Sequence, residues 1–81
     1  MTTTIIINSI KKESEKAILV SLPVTWNSNM HVKEMWFPKS VVSEMTMRTM
    51  DVKTWFIEKQ EDANAFHGYK MRFEEVHAVE I

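Results

Sequence analysis

A chain of 81 residues is long enough for one domain but too short for two, because neither half would bury a stable core. Apolar residues make up 44% of the chain, which is typical of a globular protein, and the net charge of -1 argues against a dedicated binder of duplex DNA. The absence of cysteine excludes disulfides, thiolate catalysis and cysteine-based zinc sites, and it favours a reducing compartment. We therefore expect residues 1–81 to form a single domain.

The first third of the chain predicts two strands joined as a hairpin. Thr3 to Ile10 is rich in β-branched residues, and Lys16 to Val24 is apolar on both faces, as is typical of a central strand. The polar segment Lys11 to Glu15 between them is short enough for a hairpin connection. Pro23 lacks an amide hydrogen, so we expect it at the end of its strand or at a sheet edge.

A loop and a third strand follow. The turn-forming residues of Trp26-Asn27-Ser28-Asn29 predict a loop, and Met30 to Phe37 predicts a strand that Pro38 ends. Ser40 is then a candidate cap for a single helical turn from Val41 to Glu44, because its hydroxyl can accept an otherwise unbonded amide hydrogen.

The remainder predicts one helix between two strands. Met45 to Met50 alternates weakly like a strand, and Asp51 is the predicted N-cap of a helix from Asp51 to Phe66. A strand from Val52 to Lys59 is the competing interpretation. Tyr69 to Phe73 alternates apolar with basic residues and predicts a last strand, after which the apolar phase slips towards Val79 and Ile81 and indicates a bulge.

These elements together predict an α+β domain. Its sheet is a bent antiparallel sheet of four to five strands with one helix packed on it, and a partly open barrel is the more closed alternative. Pairing of the strands in sequence order is the simplest arrangement.

Two short motifs resemble a group of small, mostly uncharacterised phage and prophage proteins. That group has an apolar strand after a Lys/Thr-rich turn, here Lys16-Ala17-Ile18-Leu19-Val20, and a Trp-apolar-Pro-Lys-Ser element, here Trp36-Phe37-Pro38-Lys39-Ser40. Trp55-Phe56 is similar to a later Trp-apolar pair of the group. The chain departs from the group in its long segment Leu22 to Val32 and in its C-terminal strand. The resemblance implies a viral or mobile-element origin, the cytoplasm of a bacterial host, and no defined chemistry.

Enzymatic chemistry is not predicted. The spacings of His31, His67 and His77 match no helical or hairpin pattern of metal ligands. The sequence has no nucleophile elbow or paired-carboxylate motif, and its single glycine excludes a glycine-rich phosphate loop. We therefore predict no catalytic residue, no cofactor and no metal site.

Five side chains are candidates for binding a partner: Trp26, Trp36, Lys39, Lys70 and Arg72. Trp26 lies in a predicted loop. The sequence is equally consistent with an exposed Trp26 that anchors an interface and with a Trp26 side chain that folds over the end of the sheet. Trp36 and Lys39 present an aromatic ring and a lysine at a strand end, although the simpler interpretation is that Trp36 or Phe37 fills the core while Pro38 ends the strand.

Lys70 and Arg72 form a basic strip with Lys11, Lys12 and Lys16 if their strands adjoin, and aromatic residues beside such a strip would suit single-stranded nucleic acid. A solvated outer face is the simpler interpretation of these residues.

Three functions follow as hypotheses. The first is an accessory protein that binds a host protein or protein complex without catalysis, such as an anti-CRISPR-like inhibitor of a bacterial defence complex. The second is a small β-barrel that binds single-stranded nucleic acid in phage recombination or replication. The third is an assembly subunit that buries a sheet edge in a homodimer. No membrane partner is predicted.

Overall fold

The computed structural model describes residues 1–76, and within them the predicted α+β class with a bent antiparallel sheet is confirmed. Seven strands of this part of the chain form two antiparallel sheets that do not close into a barrel. In chain order the elements are β1 (Thr2–Ile6), β2 (Ser9–Glu13), β3 (Ala17–Trp26), β4 (Asn29–Pro38), β5 (Val42–Met45), β6 (Thr49–Lys53), α1 (Thr54–Ala63) and β7 (Arg72–Phe73). One sheet has the order β1-β6-β5, and the other has the order β2-β3-β4 with β7 also paired to β3.

The apolar run that predicts one strand from Thr3 to Ile10 is two strands in two different sheets. Ile7 donates its amide to the carbonyl of Arg48 (2.9 Å), whereas Asn8 donates to the carbonyl of Ser21 (2.7 Å). The chain therefore passes from one sheet to the other between two successive residues. As a result, β1 pairs with β6 instead of its neighbour in sequence, and pairing in strict sequence order is wrong.

The predicted hairpin of the first two apolar segments is confirmed in β2 and β3, but its turn lies later. Lys11 and Lys12 belong to β2, and residues 14–16 form the connection. The hydroxyl of Ser14 accepts the amide of Ala17 (3.1 Å), which is a local bond that favours a turn over an extended strand.

The β3–β4 hairpin is the longest feature of the fold. Its ten residue pairs run without irregularity from Ala17 opposite Pro38 to Trp26 opposite Asn29. Asn27 and Ser28 form the turn with φ angles of 48° and 66°, the left-handed conformation that a two-residue type I′ hairpin turn requires. The predicted loop is therefore a tight turn, and the predicted strand before Pro38 is confirmed as β4.

Pro23 lies inside the central strand β3 and not at its end. The carbonyl of Ser21 points towards β2, where it accepts a hydrogen bond from the amide of Asn8. Because alternate residues of a strand direct their backbone groups to the same side, the backbone nitrogen of Pro23 also points to this side. On that side, pairing with β2 ends at Ser21 and pairing with β7 begins at Val24. The missing amide hydrogen therefore breaks no bond to β4.

Two predictions for the middle of the chain are wrong. Ser40 caps no helical turn, because Lys39–Val41 is a single 3₁₀ turn without a side-chain cap and β5 follows it at once. The strand predicted over Met45 to Met50 is wrong at residues 46–48, which form a hairpin turn, whereas Met45 ends β5 and Thr49 and Met50 begin β6. The hydroxyl of Thr46 accepts the amide of Thr49 (2.9 Å), and this bond closes the turn.

The predicted helix exists but is shorter at both ends. It spans Thr54–Ala63, and the predicted N-cap Asp51 lies in β6, where its carboxylate accepts the hydroxyl of Thr4. The competing strand from Val52 to Lys59 is therefore correct only as far as Lys53. With ten residues, α1 is well short of the roughly 20 that a membrane-spanning helix needs, and no helix within residues 1–76 could cross a membrane.

The core lies between the two sheets and the buried face of α1. Phe37 of β4 is at its centre, with its ring 5.7 Å from that of Phe56 on α1 and 6.1 Å from that of Phe73 on β7. The other large, fully buried side chains come from β1, β3, β6, α1 and the residue before β7: Ile5, Leu22, Met50, Ile57, Met71, Val20, Val24 and Val52.

The strand predicted from Tyr69 to Phe73 is reduced to the two residues of β7. Phe66 and Tyr69 exchange backbone hydrogen bonds of 2.8 and 2.9 Å across His67 and Gly68, whose φ angles are 50° and 83°. Beyond β7 the chain follows β1, where Ile6 donates to the carbonyl of Glu74 (2.8 Å). Val79 and Ile81, on which the predicted bulge depends, lie outside the described residues.

Candidate binding surfaces

The five predicted contact residues fall into two groups at opposite ends of the β3–β4 hairpin. Trp36 is paired with Leu19 near one end, whereas Trp26 and Arg72 lie at the turn end, where Arg72 is paired with Thr25. Seven strand residues separate Leu19 from Trp26, which is roughly 23 Å. The structure therefore offers two separate surfaces, one for each tryptophan.

At the turn end, Trp26 forms one wall of a cavity of about 730 Å³, which we name the aromatic pocket. The indole Nε1 donates to the carbonyl of Asn64 (2.9 Å), and this bond fixes the ring over the end of α1. Its ring stands edge-on to those of His31 (5.3 Å) and Phe66 (6.3 Å). The remaining lining residues are Asn27, Asn29, Lys33, Ala63, Ala65, His67 and Tyr69. Trp26 is thus folded partly over the sheet end, yet its ring still borders an open cavity.

A second, more polar cavity of about 330 Å³ adjoins the first, and we name it the basic pocket. It shares Asn27 and Tyr69 with the aromatic pocket and adds Thr25, Ser28, Gly68, Lys70 and Arg72. The ammonium of Lys70 lies 2.9 Å from the carboxylate of Asp62 on α1, and the hydrogen bond from Lys70 to that carboxylate raises the pKa of Lys70. The structure therefore brings Lys70 and Arg72 together with Trp26.

The predicted basic strip is not formed. Arg72 lies opposite Thr25 at the turn end of β3, whereas Lys12 lies opposite Leu19, six residues earlier and roughly 20 Å away. The reason is that β2 and β7 occupy successive halves of the same edge of β3. Lys11, Lys12 and Lys16 therefore remain on a different part of the surface from Lys70 and Arg72.

At the other end of the hairpin, Phe37 is the one of the two predicted core candidates that is buried, and Trp36 is exposed. Side chains alternate along β4, so Met35 and Phe37 face inward while Met30, Val32 and Trp36 face outward. These three outward residues are 64%, 69% and 49% exposed, and we name them the outer β4 stripe, which runs along the strand from Met30, opposite Thr25 at the turn end, to Trp36. Lys39 follows the strand and forms an exposed salt bridge of 2.8 Å with Glu13 of β2.

The outer β4 stripe lies on a strand with one unpaired edge. The backbone amide and carbonyl of successive strand residues point to opposite sides. Since the carbonyl of Ser21 points to β2, the amide and carbonyl of Leu22 point to β4. Lys33, which pairs with Leu22, directs its amide and carbonyl to β3. The alternate residues, among them Val32 and Glu34, therefore direct their amides and carbonyls away from β3. No strand within residues 1–76 pairs with that side of β4.

Two of the histidines come together, but they do not make a metal site in the described part of the chain. His31 and His67 both line the aromatic pocket. No group of three histidine, cysteine, aspartate or glutamate residues between positions 1 and 76 could hold a metal ion. His77, the third candidate, lies outside the described residues.

Comparison of the chain with protein-family models, with curated proteins and with solved structures gives no significant match. The two surfaces are therefore interpreted from their own geometry.

Proposed function

We propose that this domain works without catalysis, by binding a partner protein along the outer face and free edge of β4. The observation that supports this most directly is the outer β4 stripe, which leaves three large apolar side chains exposed on one strand. Burial of apolar surface is a main favourable contribution to most protein–protein association. Glu34 lies between Val32 and Trp36 on the same face, so the stripe offers a partner apolar contacts beside one carboxylate.

The edges of the two sheets differ in how well they resist pairing with another chain. β2 has five residues and β5 has four, and both carry a register irregularity, which natural proteins use to discourage edge pairing. β4 has ten residues and pairs with β3 in an unbroken register. A partner can therefore add a strand to β4 through main-chain hydrogen bonds, with its side chains packed over Val32 and Trp36.

The biological form of this proposal is an inhibitor of a bacterial defence complex. The phage-like motif Trp36-Phe37-Pro38-Lys39-Ser40 supports it, because that motif ends β4 and contains one residue of the outer β4 stripe. Such an inhibitor forms a stoichiometric complex with a host protein and shows no turnover.

The test compares two exposed positions after identical substitution. The tagged domain is used to capture proteins from bacterial lysate with and without nuclease, and the affinity of the captured partner is then measured by calorimetry. We expect Val32→Glu to weaken binding by about tenfold or more, because it places a charge in the centre of the buried contact. Met47→Glu is the matched control, since Met47 is 87% exposed in the turn between β5 and β6, which belong to the other sheet.

Three outcomes would contradict this proposal. The first is equal binding by Val32→Glu and the unaltered domain, which would place the contact elsewhere. The second is capture that disappears with nuclease, which would favour nucleic acid as the ligand. The third is a dimer in light scattering that Val32→Glu converts to a monomer, which would make a second copy of this chain the occupant of the edge.

A further inference from the structure

The aromatic and basic pockets adjoin at Asn27 and Tyr69, and we propose that together they bind an aromatic base that carries a phosphate. The ligand is either a free nucleotide or an unpaired nucleotide of a single strand. The inference goes beyond the protein contact proposed above and does not depend on it, because Met30, Val32 and Trp36 line neither pocket.

The size and the lining residues of the aromatic pocket suit a planar ring. Its volume of about 730 Å³ lies within the usual range for small-molecule sites, about 300–1,000 Å³. Phe66 and Tyr69 are 59% and 48% exposed, so their rings remain accessible to a ligand. The indole of Trp26 is held in place by its bond to Asn64, so little ordering is required when a base packs beside it. The side-chain amides of Asn27 and Asn29 can pair with the polar edge of a base.

The charges around the aromatic pocket select against a cationic ligand. Aromatic rings alone would also suit an ammonium group. Lys33 lines this pocket, however, and no carboxylate is among the described residues that line either cavity. A positively charged ligand would be repelled by that lysine, whereas a phosphate-bearing ligand would be attracted.

The basic pocket supplies the phosphate contact. The exposed guanidinium of Arg72 can donate two parallel hydrogen bonds to phosphate oxygens. The hydroxyls of Thr25 and Ser28 offer further donors. Because Asp62 already offsets the charge of Lys70, we assign the main contact to Arg72. Thr25 and Arg72 lie on the outer face of the hairpin and Trp26 on the inner face, so the ligand has to reach round the turn end at Asn27 and Tyr69, the two residues that both cavities share.

The experiment follows the indole N–H signals of the three tryptophans by ¹⁵N NMR, each assigned by a Trp→Phe variant. The full chain is titrated with thymidine 5′-monophosphate, with a short oligothymidylate and with inorganic phosphate. We expect the signal of Trp26 to shift with both nucleotide ligands, while that of Trp55 at the start of α1 stays in place. Tighter binding of the oligothymidylate identifies a single strand as the ligand, and equal binding identifies the free nucleotide; either result supports the site.

Separate variants test the contact with the base and the contact with the phosphate. Phe66→Ala is expected to weaken nucleotide binding by about tenfold through the lost stacking surface, whereas Trp55→Ala, which removes another exposed aromatic ring, leaves it unchanged. Arg72→Gln is expected to reduce the salt slope of binding by about 1, with Arg48→Gln as its control. The indole spectrum reports whether each variant is folded.

The inference is overturned if neither nucleotide ligand moves the Trp26 signal. It is also overturned if inorganic phosphate binds as tightly as the nucleotides, or if folded Phe66→Ala binds them like the unaltered chain, because the aromatic pocket would then hold no base.

Discussion

The two faces of β4 carry similar residues but lie in different environments. Inward-facing Met35 and Phe37 are almost completely buried, while outward-facing Met30 and Val32 are more than 60% exposed. The inner face is covered by the rings of Phe56 and Phe73, which α1 and β7 bring over it. No described element packs on the outer stripe. Apolar character alone therefore does not make a strand face part of the core, and the outer face requires an explanation other than stability.

The largest effect is expected on the inner face. Phe37→Ala should lower the free energy of unfolding by about 3–5 kcal/mol, because it removes a buried ring and leaves a cavity. Urea unfolding followed by circular dichroism measures this loss. A domain of this size can unfold completely at that cost. Phe37→Leu is therefore measured as well, and we expect it to lower the free energy of unfolding by about 1–2 kcal/mol. A loss below about 0.5 kcal/mol in both variants, the size of a surface effect, would contradict the assignment of the inner face.

An isosteric pair of substitutions compares the two faces directly. Val20 on β3 is fully buried on the inner side, and Val32 is exposed on the outer side. Val20→Thr should lower the free energy of unfolding by about 1–3 kcal/mol, because it buries a hydroxyl in an apolar core. Val32→Thr keeps the branched shape in water and should change it by less than about 0.5 kcal/mol.

The same urea titration checks both variants, and each serves as the control for the other. Equal losses for Val20→Thr and Val32→Thr would show that the outer face is as closed as the inner one. In that case the protein contact proposed for the outer β4 stripe would lose its basis.

Local pattern predicts the local parts of this fold but not the pairing of distant ones. The β3–β4 hairpin could be predicted because Asn27 and Ser28 mark a turn between two segments that pair along their whole length. The division of Ile5 and Ile7 from Ser9 between two sheets could not, since it depends on the pairing of β1 with β6, more than 40 residues away. Strand propensity describes a segment and does not specify its partner.

The candidate surfaces can also be predicted only in part, because residue type marks a candidate side chain but does not specify which distant residues lie beside it. Trp26, Lys70 and Arg72 were identified by residue type, and the pairing of β7 with β3 brings them together. The predicted helix includes Phe66, so the sequence does not indicate that Phe66 and His67 lie beside the indole of Trp26. The signal that could have found them is Gly68, which favours a turn when it follows a short helix. The sequence does not single out Met30 and Val32 because both faces of their strand mix apolar with charged residues, Glu34 on one face and Lys33 on the other.

The smallest expected effect concerns Glu61, which lies on α1 at the border between the core and the solvent. Partial burial of its carboxyl raises its pKa, although the amide of Phe73 (3.2 Å) acts in the opposite direction. Of the neighbouring charges, Glu75 and Asp62 raise this pKa further, and Arg72 lowers it.

Because folding raises the pKa of Glu61 above its ordinary value of 4.5, the folded state favours the protonated form. This contribution to stability is fully present below pH 4.5 and is lost as the pH rises through the raised value. Glu61→Gln keeps an oxygen for the amide of Phe73 and removes the charge. It should therefore raise the free energy of unfolding at neutral pH by about a few tenths of a kcal/mol and leave it unchanged in acid. Glu58→Gln, on the exposed side of the same helix, is the control in urea titrations across this pH range. A lower free energy of unfolding at neutral pH in Glu61→Gln would contradict this prediction, because it would mean that the folded state favours the ionised carboxylate.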